Sequence, residues 1–470
     1  MTRRPTTRLH VSGHRFVLRR LEHALVRRDV RMVDEPLRSG ARSFTAGCVL
    51  AVTALAGCAL VAYLRPSLGD SPIVMAQDSG ALFVRVGDTL HPVLNLASAR
   101  LIVGTAADTA VVRDSELANT KRGAVLGIPG APATIDNPLR STEGRWVICD
   151  RAGETTVIAG GSERGAGGFM NSGATLFVRS RSGPDNLTYV LYDGRRARVS
   201  RGDRALARAL RLEGADPIPV SSSLLNVIPE VPPLAAPRID GVGQPGPRAL
   251  QGLAVGTVVR VARADGDEYY VVGQGGVQRI GTVVADLLRF EYAGAGAEIE
   301  SLPAGMIAAV PPVKVLDLAD FPNRVPAPEP HDVVCAQWAI AVEGNAHTEI
   351  YAGAAVPLAS DQAAVALAQA DGAGPGLDAV FVPPGRVAYV RANGLHVVTD
   401  TGVRFAISDT TTARTLGLAG EPIEAPWSIV RLLPEGPRLS KENALIARDV
   451  LLPDAVGVAI PEEVSRPAPR

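Results

Sequence analysis

The segment WVIC, residues 146–149, has a counterpart in mirrored order at residues 335–338, CAQW. Each segment joins a cysteine to a tryptophan through two intervening residues. Apolar segments rich in alanine and glycine follow both, VIAGG from Val157 and IYAGA from Ile350. We interpret the pair as the product of a tandem duplication whose two linkers build a central β core. Equivalent positions in two such halves can meet across a pseudo-two-fold axis.

Four segments around this pair can be laid over one another. Each predicts two strands joined by a tight turn, then a mixed or helical stretch that closes on an apolar residue and a proline. Asp193-Gly194 and Asn393-Gly394 are strong hairpin signals, because glycine and asparagine tolerate the positive φ that such turns require. The four turn glycines are Gly87, Gly194, Gly275 and Gly394, and the closing dipeptides are Ile128-Pro129, Ile228-Pro229, Val310-Pro311 and Leu433-Pro434. The pattern predicts four repeat modules.

The second and fourth modules match without a gap over their last segments. These are PIPVSSSLLNVIPEVPPL from Pro217 and PIEAPWSIVRLLPEGPRL from Pro422. The match pairs Ser223 with Ser428, and a serine that opens a short apolar helix ended by proline fits both copies.

The uncharged run Ser43–Leu64 predicts a membrane-spanning helix. A helix of this length, rising about 1.5 Å per residue, crosses a hydrocarbon core of about 30 Å. The run contains Leu55-Ala56-Gly57-Cys58, which resembles a lipobox, and cleavage there would leave a lipidated Cys58 at a new N-terminus. Cleavable signals have an apolar core of about 7–15 residues behind a short basic start, whereas this run follows a long prelude and continues past Cys58. The sequence therefore favours an uncleaved anchor.

Charge asymmetry predicts the orientation of that anchor. Residues 1–42 carry eleven arginines against four acidic residues, and beyond the anchor only Arg65 lies close. Because cytoplasmic flanks hold the positive excess, we expect residues 1–42 inside the cell and the bulk of the chain exported. Ser12–Met32 has helical apolar spacing among its arginines, so it suits a helix on anionic lipid or against a cytosolic partner. A basic tail that only sets topology is the alternative.

Two cysteines, Cys149 and Cys335, lie in the part predicted to be exported. An even pair in an oxidising compartment indicates a disulfide, and two buried free thiols are the alternative. Cys48 and Cys58 lie in the apolar run and are interpreted as small apolar residues on a lipid-embedded helix.

The sequence lacks the motifs of several common enzymes and ligand-binding sites. The chain balances 48 basic and 48 acidic residues, so its charge does not indicate a nucleic-acid partner. Its lysines, at 121, 314 and 441, do not follow glycine, which excludes a P-loop, and neither G-x-S-x-G nor H-E-x-x-H occurs. The acidic run Asp265–Glu268 fails the calcium-loop spacing. We therefore predict no catalytic, cofactor-binding or metal-binding residues.

The chain resembles the EccB family, a membrane component of type VII (ESX) secretion systems of actinobacteria. The resemblance covers nearly the whole length. It is carried by SGHRFVLRR, RDVRM and PLRS before the anchor, and by LHPVLNLASARLIVG, GIPGAP, WVICD, LLNVIPEVPPL and TDTGVRFAI after it.

The resemblance implies a structural subunit of the inner-membrane secretion machine. Its expected fold is β-rich α+β, with one N-terminal transmembrane helix and an elongated, pseudo-two-fold periplasmic part that has a central β core and four repeat modules. The family disulfide carries over onto Cys149 and Cys335. Expected partners are the motor ATPase EccC, EccD, EccE, the mycosin protease, membrane lipid and further copies of the chain in a hexameric complex.

The expected division assigns a role to most of the sequence. It comprises a cytoplasmic arm (1–42), the transmembrane helix (43–64), module 1 (71–133), core half 1 (134–187), module 2 (188–237), module 3 (254–312), core half 2 (313–387), module 4 (388–445) and a C-terminal tail (446–470). Two other functions stay open at this point. Some family members carry an ATPase label, and the repeats of an envelope protein could instead bind peptidoglycan.

Overall fold

A computed structural model of the 470-residue chain describes most of the sequence. The described residues are 7–28, 36–64, 71–118, 120–160, 175–182, 187–250, 252–264, 266–293, 298–323, 325, 331–341 and 344–451. Most of the predicted tail, residues 452–470, lies outside them, as do residues 29–32 of the predicted basic helix. The chain divides into a unit of Met1–Ser71 with Ala110–Val112 and a larger unit that contains the rest.

The first unit contains two helices, α1 (Arg8–Arg27) and α2 (Pro36–Leu64). Within α2, Arg42–Leu60 is long and apolar enough to cross a membrane, and none of it is buried against protein. The prediction of one N-terminal apolar helix is confirmed, although the helix begins at Pro36 rather than at residue 43. On α1, the apolar residues Val17, Leu21 and Leu25 are exposed.

The larger unit holds the remaining elements, apart from residues Ala110–Val112. Module 1 contains β1 (Ile73–Ala76), β2 (Leu82–Val86), β3 (Thr89–Val93), α3 (Leu96–Val103), β4 (Thr109–Val112) and α4 (Asp114–Leu117). Core half 1 contains a 3-10 turn (Ser141–Glu143), β5 (Trp146–Arg151) and β6 (Glu154–Ala159). Module 2 contains β7 (Thr175–Ser180), β8 (Thr188–Tyr192), β9 (Arg195–Val199), α5 (Arg204–Ala209), β10 (Ile218–Val220), α6 (Ser222–Val227) and β11 (Glu230–Val231).

The second half repeats this order. Module 3 contains β12 (Val258–Val261), β13 (Glu268–Val272), β14 (Val277–Ile280), α7 (Thr282–Leu288), a π-helical turn (Arg289–Ala293), β15 (Glu300–Ser301) and α8 (Ala304–Ala308). Core half 2 contains β16 (Val333–Ile340), β17 (Ala346–Gly353), β18 (Val365–Ala366) and β19 (Ala379–Phe381). Module 4 contains β20 (Ala388–Arg391), β21 (Leu395–Val398), β22 (Arg404–Ile407), α9 (Thr410–Leu416), β23 (Ile423–Glu424), α10 (Trp427–Val430) and α11 (Lys441–Ala444).

The modules share one topology. In modules 2, 3 and 4, three antiparallel strands are followed by a helix and by a short strand that returns parallel to the first strand of the module. Module 1 has the same three-stranded antiparallel arrangement of β1, β2 and β3. The first strand of the module 2 sheet, β7, lies within residues 134–187, so this sheet extends into the stretch expected to form core half 1.

The core is a six-stranded sheet with the order β17-β16-β5-β6-β19-β18. Two neighbouring strands of this sheet, β5 and β16, come from the two halves and pair antiparallel. Next to them, β6 and β17 complete one hairpin from each half. The prediction of a β-rich α+β fold is confirmed.

Apolar packing joins the modules in pairs. One buried cluster combines residues of modules 1 and 4, including Ile102 from α3 and Leu416 from α9. A second cluster combines module 2 with Val283 and Leu287 of α7 in module 3. The largest cluster spans the core sheet and includes both α6 and α10, so the corresponding helices of modules 2 and 4 share one core.

Candidate functional site: the disulfide-linked core

The centre of the core sheet contains a disulfide between Cys149 and Cys335, with an S–S distance of 2.07 Å. The register places Cys149 directly opposite Cys335 and Trp146 directly opposite Trp338. This pairing explains why the two sequence motifs have mirrored order. In an antiparallel pair one strand runs in reverse, so like residues meet only if their order is reversed in one of the two strands.

The two faces of the central strands differ in their packing. Successive side chains of a strand point to opposite faces. Trp146 and Ile148 therefore pack in the largest cluster, whereas Cys149 and Cys335 face a smaller cluster with Tyr351 and Phe381. Both cysteines are fully buried. Burial on both faces produces the nearly continuous apolar sequence of each strand.

A buried carboxylate connects this core to module 2. Asp150, the residue after Cys149, accepts hydrogen bonds from the backbone N–H and the hydroxyl of Ser221, which is the N-cap of α6. It also accepts one from the Thr155 hydroxyl at 2.8 Å and pairs with the Arg181 guanidinium at 3.4 Å. Burial raises the pKa of Asp150, and these bonds and the Arg181 charge oppose that rise.

A second buried carboxylate lies in the loop before β19. Asp378 accepts hydrogen bonds from the backbone N–H groups of Thr155, Asp371 and Gly372, at 2.7, 2.9 and 2.6 Å. Because Thr155 belongs to β6, Asp378 holds a loop of core half 2 against core half 1. Thr155 thus binds Asp150 through its hydroxyl and Asp378 through its backbone.

Modules 2 and 4 contain corresponding ion pairs. Arg196 of β9 binds Glu230 at 2.8 Å, and Arg404 of β22 binds Glu435 at 2.7 Å. The two glutamates occupy matching positions in the gapless sequence match. The arginine side chains are largely buried and their carboxylate partners are mostly exposed. A third pair, Arg386–Glu143, joins core half 2 to core half 1 through two bonds at 2.8 and 2.9 Å.

The four turn glycines occupy different environments. Gly87, Gly194 and Gly394 have φ values of 63°, 71° and 122°. Gly275 has no such positive φ, and a side chain there would meet open space. A Cβ at Gly194 would collide with the backbone carbonyl of Thr348 on β17, whereas one at Gly87 would meet nothing. The tip of the module 2 hairpin therefore lies against the core sheet.

The hairpins at Tyr189 and Tyr389 do not occupy the same place in their modules. Gly194 lies between the second and third strands of its sheet, as Gly87 and Gly275 do in theirs. Gly394 lies between the first and second strands of module 4. The topological counterpart of Gly194 is Gly402, which has a φ of 82°.

The closing prolines hold the third strand of three modules. The backbone carbonyls of Pro229, Pro311 and Pro434 accept hydrogen bonds from Arg196, Val277 and Arg404, at 2.8, 3.1 and 2.9 Å. In module 1 the corresponding bond runs from Leu90 to the Lys121 carbonyl instead. The closing apolar-proline dipeptide thus marks a structural contact in modules 2 to 4. Proline can make this contact because it retains its carbonyl acceptor although it lacks an N–H.

The serine predicted to open α6 is displaced by two residues. The N-cap is Ser221, whose hydroxyl accepts from Leu224 N–H at 3.0 Å, and Ser223 instead donates to the Pro375 carbonyl. In module 4 the cap position of α10 is Pro426, so Ser428 is not a cap. Sequence reasoning also missed Asp150, for which the available signal was a charged residue near the end of a buried apolar strand.

Over the described part of the chain, no group of three or more His, Cys, Asp or Glu residues is arranged to hold a metal ion. The polar groups of this site bind one another across elements from different modules and halves. The arrangement is suited to fixing module positions.

Residues 3–453 match the family described as "Type VII secretion system ESX-1, transport TM domain B", EccB. The chain belongs to this family. Curated members similar to it include "ESX-3 secretion system ATPase EccB3" of Mycolicibacterium smegmatis, 35% identical over 95% of this chain and 91% of the relative. "ESX-5 secretion system ATPase EccB5" of Mycobacterium tuberculosis is 34% identical over 95% of this chain and 94% of the relative.

Solved structures from ESX secretion complexes have the same fold. A chain from the intact ESX-5 inner membrane complex has a TM-score of 0.73 at 31% identity, and the match covers 98% of this chain and 99% of that one. The EccB3 dimer from the ESX-3 core complex gives a TM-score of 0.70 at 31% identity over 80% of this chain and all of that one. The resemblance to the EccB family is confirmed.

Proposed function

We propose that this chain is a structural subunit of a type VII secretion machine. In this role, α2 anchors the chain in the inner membrane and the larger unit lies on the periplasmic side. The observation that carries the proposal is the nearly full-length likeness to a chain of the ESX-5 inner membrane complex, with a TM-score of 0.73. A core whose sulfurs are oxidised and fully buried supports placement outside the cytoplasm.

Orientation and partners extend the same proposal. The arginine-rich arm at residues 1–42 supports a cytoplasmic N-terminus. The proposed partners are the EccC motor ATPase, EccD, EccE, the mycosin protease and other copies of this chain. The division into arm, helix, four modules and two core halves is the proposed domain plan.

We propose a scaffold role rather than ATP hydrolysis. Some relatives are named as ATPases. This sequence contains no glycine-lysine pair followed by Ser or Thr, the arrangement that cradles nucleotide phosphates in P-loop enzymes. Purified full-length protein should hydrolyse ATP no faster than a blank, and turnover lost on one substitution would refute this part.

Affinity purification tests the scaffold role. The tagged chain, extracted from its own membranes in mild detergent, should co-purify with the motor ATPase in a particle much larger than one chain. A variant in which charged residues interrupt Ser43–Leu64 is the control, and it should lose these partners. Recovery of the intact chain alone, at expression levels matched to the other components, would contradict the proposal.

A further inference from the structure

A cleft of about 720 Å³ lies where the core sheet meets module 2. Its lining includes Arg151 and the β5–β6 turn, Arg179 of β7 with Pro219 of β10, and His331. The volume falls within the range of about 300–1,000 Å³ that is typical of small-molecule sites.

Some charged side chains of the cleft have ion-pair partners among the described residues and others do not. Of its acidic groups, Asp150 is buried and bound to Ser221, Thr155 and Arg181, while Asp332 is exposed. Arg181 donates to the Gly153 carbonyl and pairs with Asp150, so its charge is balanced.

Arg151 and Arg179 differ from Arg181. Neither makes an ion pair with the described residues. Arg151 is exposed and Arg179 is half-buried.

Arg151 and Arg179 both line this cleft, and like charges that share a cleft repel each other, so a bound anion would offset that repulsion. Arginine presents a planar fork of N–H donors that fits carboxylate and phosphate oxygens. The β5–β6 turn keeps its position because Gly153 accepts from Arg181 and the turn joins two paired core strands. The wall that carries Arg151 is thus held in place before any ligand arrives.

We propose that this cleft is a binding site for a small anionic ligand that carries phosphate or carboxylate groups, with Arg151 and Arg179 as the principal contacts. The site lies on the part of the chain proposed to face the periplasm. It does not depend on assembly of the secretion complex, since every residue in it comes from one chain.

Calorimetric titration of full-length protein in lipid nanodiscs tests the proposal. The probes are inorganic pyrophosphate and citrate, which separate a preference for phosphate from one for carboxylate. We expect saturable binding of at least one probe at low ionic strength, weakened about tenfold or more by each of Arg151→Gln and Arg179→Gln. The charge-retaining Arg151→Lys should lose less than Arg151→Gln, because lysine keeps the charge without the fork.

Two controls make the result specific to the cleft. The double variant Arg431→Gln/Arg438→Gln removes two charges from exposed positions of module 4, twice the loss in either cleft variant, and should still bind as the unmodified chain does. Asp332→Asn removes the exposed carboxylate of the cleft and should tighten binding. Absence of binding to both probes, or equal affinity in the cleft variants and the control, would overturn the proposal. Thermal midpoints near that of the unmodified chain would exclude misfolding as the cause of a loss.

Discussion

At Gly194 the hairpin tip of module 2 contacts the core sheet, which makes the position sensitive to a single methyl group. The backbone has a φ of 71°, and an added Cβ would collide with the Thr348 carbonyl. Gly87 has a similar φ of 63° in open space, so it is a matched control. We expect Gly87→Ala to cost about 1–2 kcal/mol for the positive φ alone. Gly194→Ala should cost about 1–3 kcal/mol more, because β17 must shift. Thermal melting of both full-length variants measures the difference, and equal midpoints would contradict the contact.

Asp150 predicts a pH dependence of stability. Burial raises its pKa above the ordinary value of 3.8. A carboxyl with a raised folded-state pKa binds its proton more tightly when folded, so its contribution to stability is complete below the unfolded pKa. The contribution is lost as pH rises through the folded pKa. Asparagine does not titrate. The thermal midpoint of the unmodified chain relative to Asp150→Asn should therefore fall as pH rises from about 4.

Glu143 supplies a contrast of opposite sign. Its hydrogen bonds from Arg386 lower its pKa below the ordinary value of 4.5. Its contribution to stability is present above that value and is lost as pH falls through the folded pKa. The midpoint of the unmodified chain relative to Glu143→Gln should fall as the solution is acidified below about pH 4.5. If the two comparisons showed pH trends of the same sign, one of the two assignments would be wrong.

The sequence predicts buried cysteines more readily than buried carboxylates. Two signals predict the pairing of Cys149 with Cys335: both lie in the part predicted to be exported, and each has a tryptophan three positions away in mirrored order. Both signals can be read from short stretches of sequence. Asp150 depends on Ser221, which lies 71 positions along the chain, and Asp378 binds Thr155 across 223 positions. No local pattern identifies such distant partners, because a carboxylate at or near the end of a strand is equally compatible with an exposed turn.

At the scale of elements, hairpin signals identified turns but not their place within a module. Asn393-Gly394 and Asp193-Gly194 both form tight turns with positive φ. A three-stranded meander has two such turns, and the same dipeptide chemistry suits either one. The match from Pro217 and Pro422 was more informative, because it includes residues with fixed tertiary partners. Glu230 and Glu435 bind equivalent arginines of β9 and β22.

Ser221 connects helix α6 to the core, and its removal should cost more than that of an ordinary cap. Its hydroxyl accepts from Leu224 N–H and donates to Asp150, and the residue is fully buried. Ser440 is the N-cap of α11 and accepts from Asn443 N–H, and its hydroxyl bonds the exposed carboxylate of Glu442 rather than a buried one. We expect Ser440→Ala to lower stability by about 1 kcal/mol. Ser221→Ala should lower stability by about 1–3 kcal/mol more than Ser440→Ala does, because the buried carboxylate of Asp150 also loses a hydrogen-bond donor. Equal losses in thermal melting would show that the Ser221–Asp150 bond contributes nothing.

At the scale of the whole molecule, the two halves are interleaved rather than placed in sequence. Module 1 shares a buried cluster with module 4, and module 2 shares one with module 3. The halves meet again at β5 and β16 and at helices α6 and α10. The sequence predicts a tandem duplication but not these pairings, because the apolar positions of a repeat do not specify which copy covers them.

The disulfide closes this arrangement over a separation of 186 residues. On the chain-entropy model, a loop of that size constrains the unfolded chain by roughly 5 kcal/mol. Cys149→Ala/Cys335→Ala should therefore lower the thermal midpoint by on the order of 10 °C under non-reducing conditions. Cys48→Ala/Cys58→Ala removes two thiols from exposed positions of α2 and should leave the midpoint unchanged. Because both bridging sulfurs are fully buried, a reductant should open the bond only once the protein unfolds. Alkylation of Cys149 and Cys335 in the folded, untreated protein would show that the two halves are not covalently joined.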